Sequence, residues 1–225
     1  MTYLKAVCNK YFEGDGSRNE DGQDLNEFLE KYDPSDYKNP SSTVDTAVFT
    51  FTENDHVIKI LLIKRKNHPS IGQWALPGGF VEFEEDIDIT AKRELEEETG
   101  ITGLSPVQFR TYGTPERDPR TRIITTLYVS FVNEKDICPR AGDDAKDAAL
   151  FNISLKDDKG GRYRLELNCD ERELFLYAVL ERDVSENGLV PVIRYRIIET
   201  CGIGLDHAML IADAFEFVMR NKKNG

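Results

Sequence analysis

Cationic side chains are in short supply. Twenty-nine Lys and Arg stand against 41 Asp and Glu, giving a net charge of −12 and an isoelectric point near 4.8. So acidic a chain is a poor partner for a nucleic-acid backbone, and any phosphate it handles must be met by local cations. Cysteine is scarce too. Cys8, Cys138, Cys169 and Cys201 are scattered with no Cys-x-x-Cys pair, which argues against a zinc site and a disulfide framework and for the reduced thiols of a cytoplasmic protein. There is no long apolar run and no charged start followed by an apolar signal region, so no membrane association is expected. A chain of 225 residues buries roughly 70% of its unfolded surface and needs no covalent staple.

What the sequence has in quantity is carboxylate, concentrated between Gly79 and Ile101. Trp74-Ala-Leu-Pro77-Gly78-Gly79 reads as a strand end entering a turn, because Pro77 fixes one backbone angle and the glycines permit close backbone approach. Asp86 is placed to cap a helix over 87–99, Asp88 suits its first turn, and Gly100 suits a left-handed C-terminal cap. At ~100° per residue, Glu94, Glu97 and Glu98 share one stripe of that helix. Such a stripe is either a solvated acidic face or a cation site. Hard oxygen donors without His or Cys suit Mg²⁺ or Mn²⁺ better than Zn²⁺. Arg93, four residues before Glu97, can hold that carboxylate in one rotamer.

The whole spacing, Gly-x5-Glu-x7-Arg-Glu-Leu-x-Glu-Glu-x-Gly-Ile, fills nine specified positions over 23 residues and resembles the Nudix box. The resemblance to Nudix hydrolases implies an α/β (α+β) fold, an α/β/α sandwich with a mixed sheet. It also implies a metal-dependent hydrolase of the pyrophosphate bond in a nucleoside diphosphate linked to another group. On that resemblance Glu94, Glu97 and Glu98 bind Mg²⁺ (or Mn²⁺) and activate water. Arg93 orients them, Glu85 supports the loop or a metal-bound water, and the Gly78 carbonyl is a further metal ligand.

Along the chain, residues 1–41 read as an N-terminal extension, turn-rich and mobile through 24, with a helical piece from Leu25 to Tyr32. The core is expected over 42–154. It begins with a hairpin of strands at 44–51 and 57–64 joined through Thr52 to His56. Strands follow at 107–112 and 123–132, flanking a loop that holds Arg117, Arg120 and Arg122 within six residues. An arginine fork suits phosphate or a base, so Arg65, Arg117, Arg120, Arg122 and Trp74 are placed in the substrate-binding set. Burial for Trp74, a surface role for Arg65 and local Arg–Asp pairing in the loop are the alternatives. This loop is similar to the Phe-Gly-x-x-x-Arg-Asp-Pro-Arg-Gly-Arg stretch of Nudix proteins that handle ADP-ribose, with Tyr112 for Phe and Thr121 for Gly. Glu116, Asp143 and Asp144 are candidate bases outside the box.

Residues 155–225 are expected to form a β insert and a C-terminal helix packed on the core. The insert reads as a meander with a turn at Asn187-Gly188, although 171–182 alternatively fits a helix. Asp206 is expected to cap an amphipathic helix from His207 to about Asn221, with His207 structural. Asp206-His207-Ala208 resembles a segment of the same ADP-ribose-related proteins, some of which are regulators with a DNA-binding domain after this helix. The sequence ends at Gly225 without room for one, so the expectation is an enzyme with ADP-ribose as leading substrate and no nucleic-acid partner. A non-catalytic nucleotide-sensing module acting through a protein partner is the alternative. Related hydrolases pair and the extra strands offer edges that need covering, which makes a homodimer an expected assembly.

Overall fold

The computed structural model describes residues 12, 14–51, 57–142, 145–185 and 192–222. The apolar piece at 3–7, the joint at Thr52 to His56, Asp143 and Asp144, and the turn at Asn187-Gly188 lie outside them. The chain divides into two compact units, Met1–Asn39 and Pro40–Gly225. In the first, α1 (Leu25–Lys31) starts with a capping box in which Asp24 and Glu27 each accept from the other's backbone N–H.

The second unit is one mixed sheet with a helix on each face. Its strands are β1 (Ser41–Phe51), β2 (Ile58–Arg65), β3 (Trp74–Ala75), β4 (Gly78–Phe80), β5 (Val107–Tyr112), β6 (Ile123–Asn133), β7 (Ala145–Asp157), β8 (Arg162–Cys169), β9 (Leu174–Ser185) and β10 (Val192–Cys201). The order is β10-β9-β8-β7-β2-β1-β6-β5, with β3 paired to β2 and β4 to β1. β1 and β6 run parallel; the β1–β2 hairpin is antiparallel.

Side-chain alternation on β1 assigns the faces. Val44 and Val48 pack in the clusters that hold Ala91 and Leu95 of α2 (Ile87–Thr99). Ala47 and Phe49 point the other way, into the large core around Ile211 and Phe215 of α3 (His207–Lys222). Asp45, odd-numbered like Ala47, shares that second face. α2 starts and stops where the sequence says it should: Asp86 accepts from the Asp88 N–H, and Gly100 takes the left-handed conformation.

The insert is a continuation of the core sheet. β7 pairs with β2 through Ala145 to Asn152 and with β8 through Asn152 to Asp157, so the expected boundary at 154/155 falls inside one strand. Residues 171–182 fall in a 3₁₀ turn and β9, not a helix. The sheet curls until its two ends meet. Arg110 on β5 donates to the Ile193 carbonyl on β10 at 2.8 Å, and to Asp213 of α3 at 2.7 Å. That arginine gives an edge carbonyl of β10 a partner. Among the described residues no helix is long and apolar enough to cross a membrane.

Candidate functional site

The site forms where the β3–β4 turn meets α2, because Gly78 lets the turn touch the β1 backbone and Gly79 leaves room for the Glu94 carboxylate. A Cβ on Gly78 would overlap the Val44 carbonyl, and one on Gly79 would overlap the Glu94 carboxylate. Gly78 pairs with Asp45, and the Thr46 N–H donates to the Pro77 carbonyl at 2.8 Å. The turn is thereby held against β1. Glu94 and Glu98, four apart on α2, then project together into a cavity of about 470 Å³.

The two acids are unequal. Glu98 is 7% exposed, and its Oε2 accepts the Gly78 N–H at 2.8 Å. Burial pushes its carboxyl up to about 8, opposed by that N–H and reinforced by Glu94. Glu94 is raised as well, again by burial, and moderated by Arg93. Arg93 is the hub. It donates to Glu85, to Glu94 at 2.7 Å, to Glu97 at 3.0 Å and to the Phe80 carbonyl at 3.2 Å. Its hydrogen bond holds Glu85 below the usual carboxylate range, and Thr90 also donates to Glu85 at 2.7 Å.

Of the residues expected in the site, Arg65, Gly78, Arg93, Glu94, Glu98, Arg117 and Arg120 line the cavity. Glu85, Glu97, Glu116, Trp74 and Arg122 do not. Glu97 stands at the outer edge on Arg93, its side chain 45% exposed. Trp74 is core: its indole meets Phe151 edge-on at 4.9 Å. Arg122 is exposed on the loop, and its carbonyl accepts the Ser41 N–H.

The cavity arginines differ in what remains free. Arg117 is taken bidentately by Asp206 at 2.9 Å, so Asp206 anchors the loop with the carboxylate that the sequence assigned to a helix cap. Arg120 is held by Asp118, and Arg93 by its three glutamates. Arg65 has no carboxylate within ion-pair distance among the described residues. Its Nε donates to the Pro69 carbonyl at 2.8 Å, and the Glu98 charge lies close enough to influence it.

Asp45 and His207 are among the wall residues that the sequence reading did not place in the site. Buried Asp45 accepts from the Thr125 hydroxyl at 2.6 Å. His207 Nδ1 accepts the Leu76 N–H at 3.1 Å, which leaves the proton on Nε2, 3.9 Å from Asp45. Burial lowers its pKa and keeps it neutral. A single acid in a strand and a histidine 162 positions later carry no local signal; only their shared sheet face unites them.

The donor set can be tested for a divalent cation. Among the described residues no three His, Cys, Asp or Glu form a ready-made metal cage. Mg²⁺, however, typically uses one or two carboxylates plus substrate phosphates. Two converging carboxylates, Glu98 buried and Glu94 partly so, with raised proton affinity fit that demand, since a cation offsets the cost that burial puts on their ionised forms.

A family model for the NUDIX domain matches residues 42–164, more than half of the chain. The chain belongs to the Nudix family. Over 110 residues this Nudix chain is 43% identical to the ADPR responsive transcriptional repressor NtrR of Acinetobacter baylyi, covering 48% of the chain and 43% of the repressor. Over 118 residues it is 41% identical to the ADP-ribose pyrophosphatase of Methanocaldococcus jannaschii, covering 52% of the chain and 65% of that protein. The matches thus span less than two thirds of either relative's length. The crystal structure of a MutT/nudix family protein from Enterococcus faecalis superposes with a TM-score of 0.68 at 28% identity, over 94% of this chain and 73% of that one. The NUDIX domain of Shewanella oneidensis NrtR shares the fold at a TM-score of 0.61 and 24% identity, over 87% and 99%.

Proposed function

We propose that this Nudix domain hydrolyses the pyrophosphate bond of a nucleoside diphosphate derivative in a metal-dependent reaction, with ADP-ribose as the first candidate. The observation that carries the reading is Glu98, buried beside Glu94 in a cavity whose wall includes an arginine without a carboxylate partner. The 41% identity to an ADP-ribose pyrophosphatase supports the substrate class.

Glu94 and Glu98, with the Gly78 carbonyl, would hold Mg²⁺ or Mn²⁺, which supplies charge neutralisation and a more acidic bound water. Glu97 remains at the rim in this reading and tunes Arg93. Arg93 fixes Glu94 and the 80–85 loop, so the acids need no reorganisation when substrate arrives. Arg65 turns its two free terminal nitrogens to phosphoryl oxygens. Glu98 would face the attacking water in its ionised form, which a bound cation favours and the Gly78 N–H holds in place.

A phosphate-release screen over nucleoside diphosphate derivatives with Mg²⁺ and Mn²⁺ tests this. Wild type is expected to turn over at least one, and Glu98→Gln to lose roughly a hundredfold or more. Wild-type turnover by the variant refutes the assignment. A second reading, a nucleotide-sensing module, is favoured by the 43% identity to an ADPR-responsive repressor. It gains if ADP-ribose raises the melting temperature while nothing in the panel is hydrolysed.

A further inference from the structure

Asp118 is a buried carboxylate, its side chain 3% exposed, that holds Arg120. It accepts the Arg120 backbone N–H at 2.9 Å, Nε at 3.0 Å and Nη2 at 2.8 Å. That contact takes the Nε/Nη2 edge and fixes the position of the guanidinium, leaving its Nη1 end and its faces open. The Arg120 Cζ lies 5.2 Å from the centre of the Phe80 ring, and Phe80 is itself 44% exposed while lining the cavity. Phe80 follows the Gly78-Gly79 turn, and its carbonyl is held by Arg93, so the ring sits on fixed backbone.

A fixed guanidinium over a half-exposed phenyl ring makes a cation–π pair on the cavity wall that the acids share. A phosphate can use only the guanidinium's charge, whereas a heteroaromatic ring gains stacking on either member of the pair. We propose that Phe80 and Arg120 form the platform on which the substrate's nucleobase stacks, with Asp118 as the positioning residue that holds Arg120 over the ring. The platform selects nucleotides over base-free diphosphates. This rests on the nucleotide reading of the cavity and assigns Arg120 to the base rather than to phosphate.

AMP and ribose 5-phosphate differ only in the base, so their dissociation constants isolate the platform without requiring turnover. Wild type with Mg²⁺, titrated calorimetrically, is expected to bind AMP about tenfold or more tighter than ribose 5-phosphate, within the range of one base–aromatic stack. Phe80→Ala and Arg120→Lys should each weaken AMP several-fold and leave ribose 5-phosphate unchanged, and Phe80→Trp should restore AMP binding. In Phe80→Trp the new indole should also be quenched by AMP and not by ribose 5-phosphate. Equal binding of both ligands by wild type, no binding of AMP, or equal loss of both in Phe80→Ala overturns the platform. Failure of hydrolysis is seen separately: a protein that discriminates the base but cleaves no diphosphate keeps the platform and loses the reaction, and one that cleaves without discriminating does the reverse.

Discussion

Replacing Glu98 by Gln in metal-free protein isolates the cost of holding a charge in the cavity. The Glu98 carboxyl has an ordinary value of 4.5 and is pushed up to about 8 by burial. Between those pH values the unfolded chain has released a proton that the folded chain keeps, so the unfolded state binds fewer protons and stability falls as pH rises. At about 1.4 kcal/mol per pH unit, this window from 4.5 to about 8 sets a ceiling of roughly 5 kcal/mol. Relaxation and water entry around the ionised group reduce the expected loss to about 2–3 kcal/mol, or roughly 4–12 °C in melting temperature for a domain of this size. The Gln variant stays neutral at every pH, and its amide oxygen still accepts the Gly78 N–H. Urea unfolding in EDTA at pH 5 and pH 8.5 should therefore find the variant gaining 2–3 kcal/mol on wild type, approximately, over that interval. Millimolar Mg²⁺ should restore wild type at pH 8.5 and leave the variant unchanged. Stability curves that run parallel across the interval in EDTA refute the buried-carboxylate argument.

Arg65→Met should raise KM for the diphosphate substrate about 10- to 100-fold, the scale of a hydrogen bond to a charged group, with Tm little changed; steady-state kinetics on the screened substrate decides this. Gly142→Ala would force a Cβ onto the Glu97 carbonyl and strain the bond from the Gly142 N–H to the Glu98 carbonyl. We expect a loss of about 2 kcal/mol or more by urea unfolding, and an unchanged midpoint would show that the loop yields freely. Asp213→Ala strands Arg110 and the Tyr112 hydroxyl between β5 and α3 and is expected to cost about 3 kcal/mol, the low end for a broken buried pair; Asp213→Asn keeps an acceptor but removes the charge and should cost nearly as much, so an unfolding midpoint for it at the wild-type value would discard the charge argument.

The local signals were legible wherever chemistry and spacing lie within a few residues of each other. Asp86, Gly100 and the carboxylate spacing define α2 to the residue, because caps and helical periodicity are local properties. Alternation in the first strand and apolar runs bounded by turns in the others were enough to place β1, β2, β5 and β6. They could not show that β7 would pair with β2 over its first part and β8 over its second, since register depends on which neighbour covers each face.

The amino-acid order by itself determined the box: which acids lie on one stripe of α2, which glycines admit a backbone contact, and where the helix ends. Tertiary structure alone decided what each charge is worth. Glu97 and Glu98 are adjacent in sequence, yet Glu98 is buried against the Gly78 N–H while Glu97 sits at the edge on Arg93, because consecutive helical positions diverge by ~100° and the turn covers only one of them. Arg65, Arg117, Arg120 and Arg122 are equivalent as letters. Partners separate them: remote Asp206 takes Arg117, neighbouring Asp118 holds Arg120 over the distant Phe80 ring, Arg122 stays on the exposed loop, and the Arg65 Nε is taken by the Pro69 carbonyl.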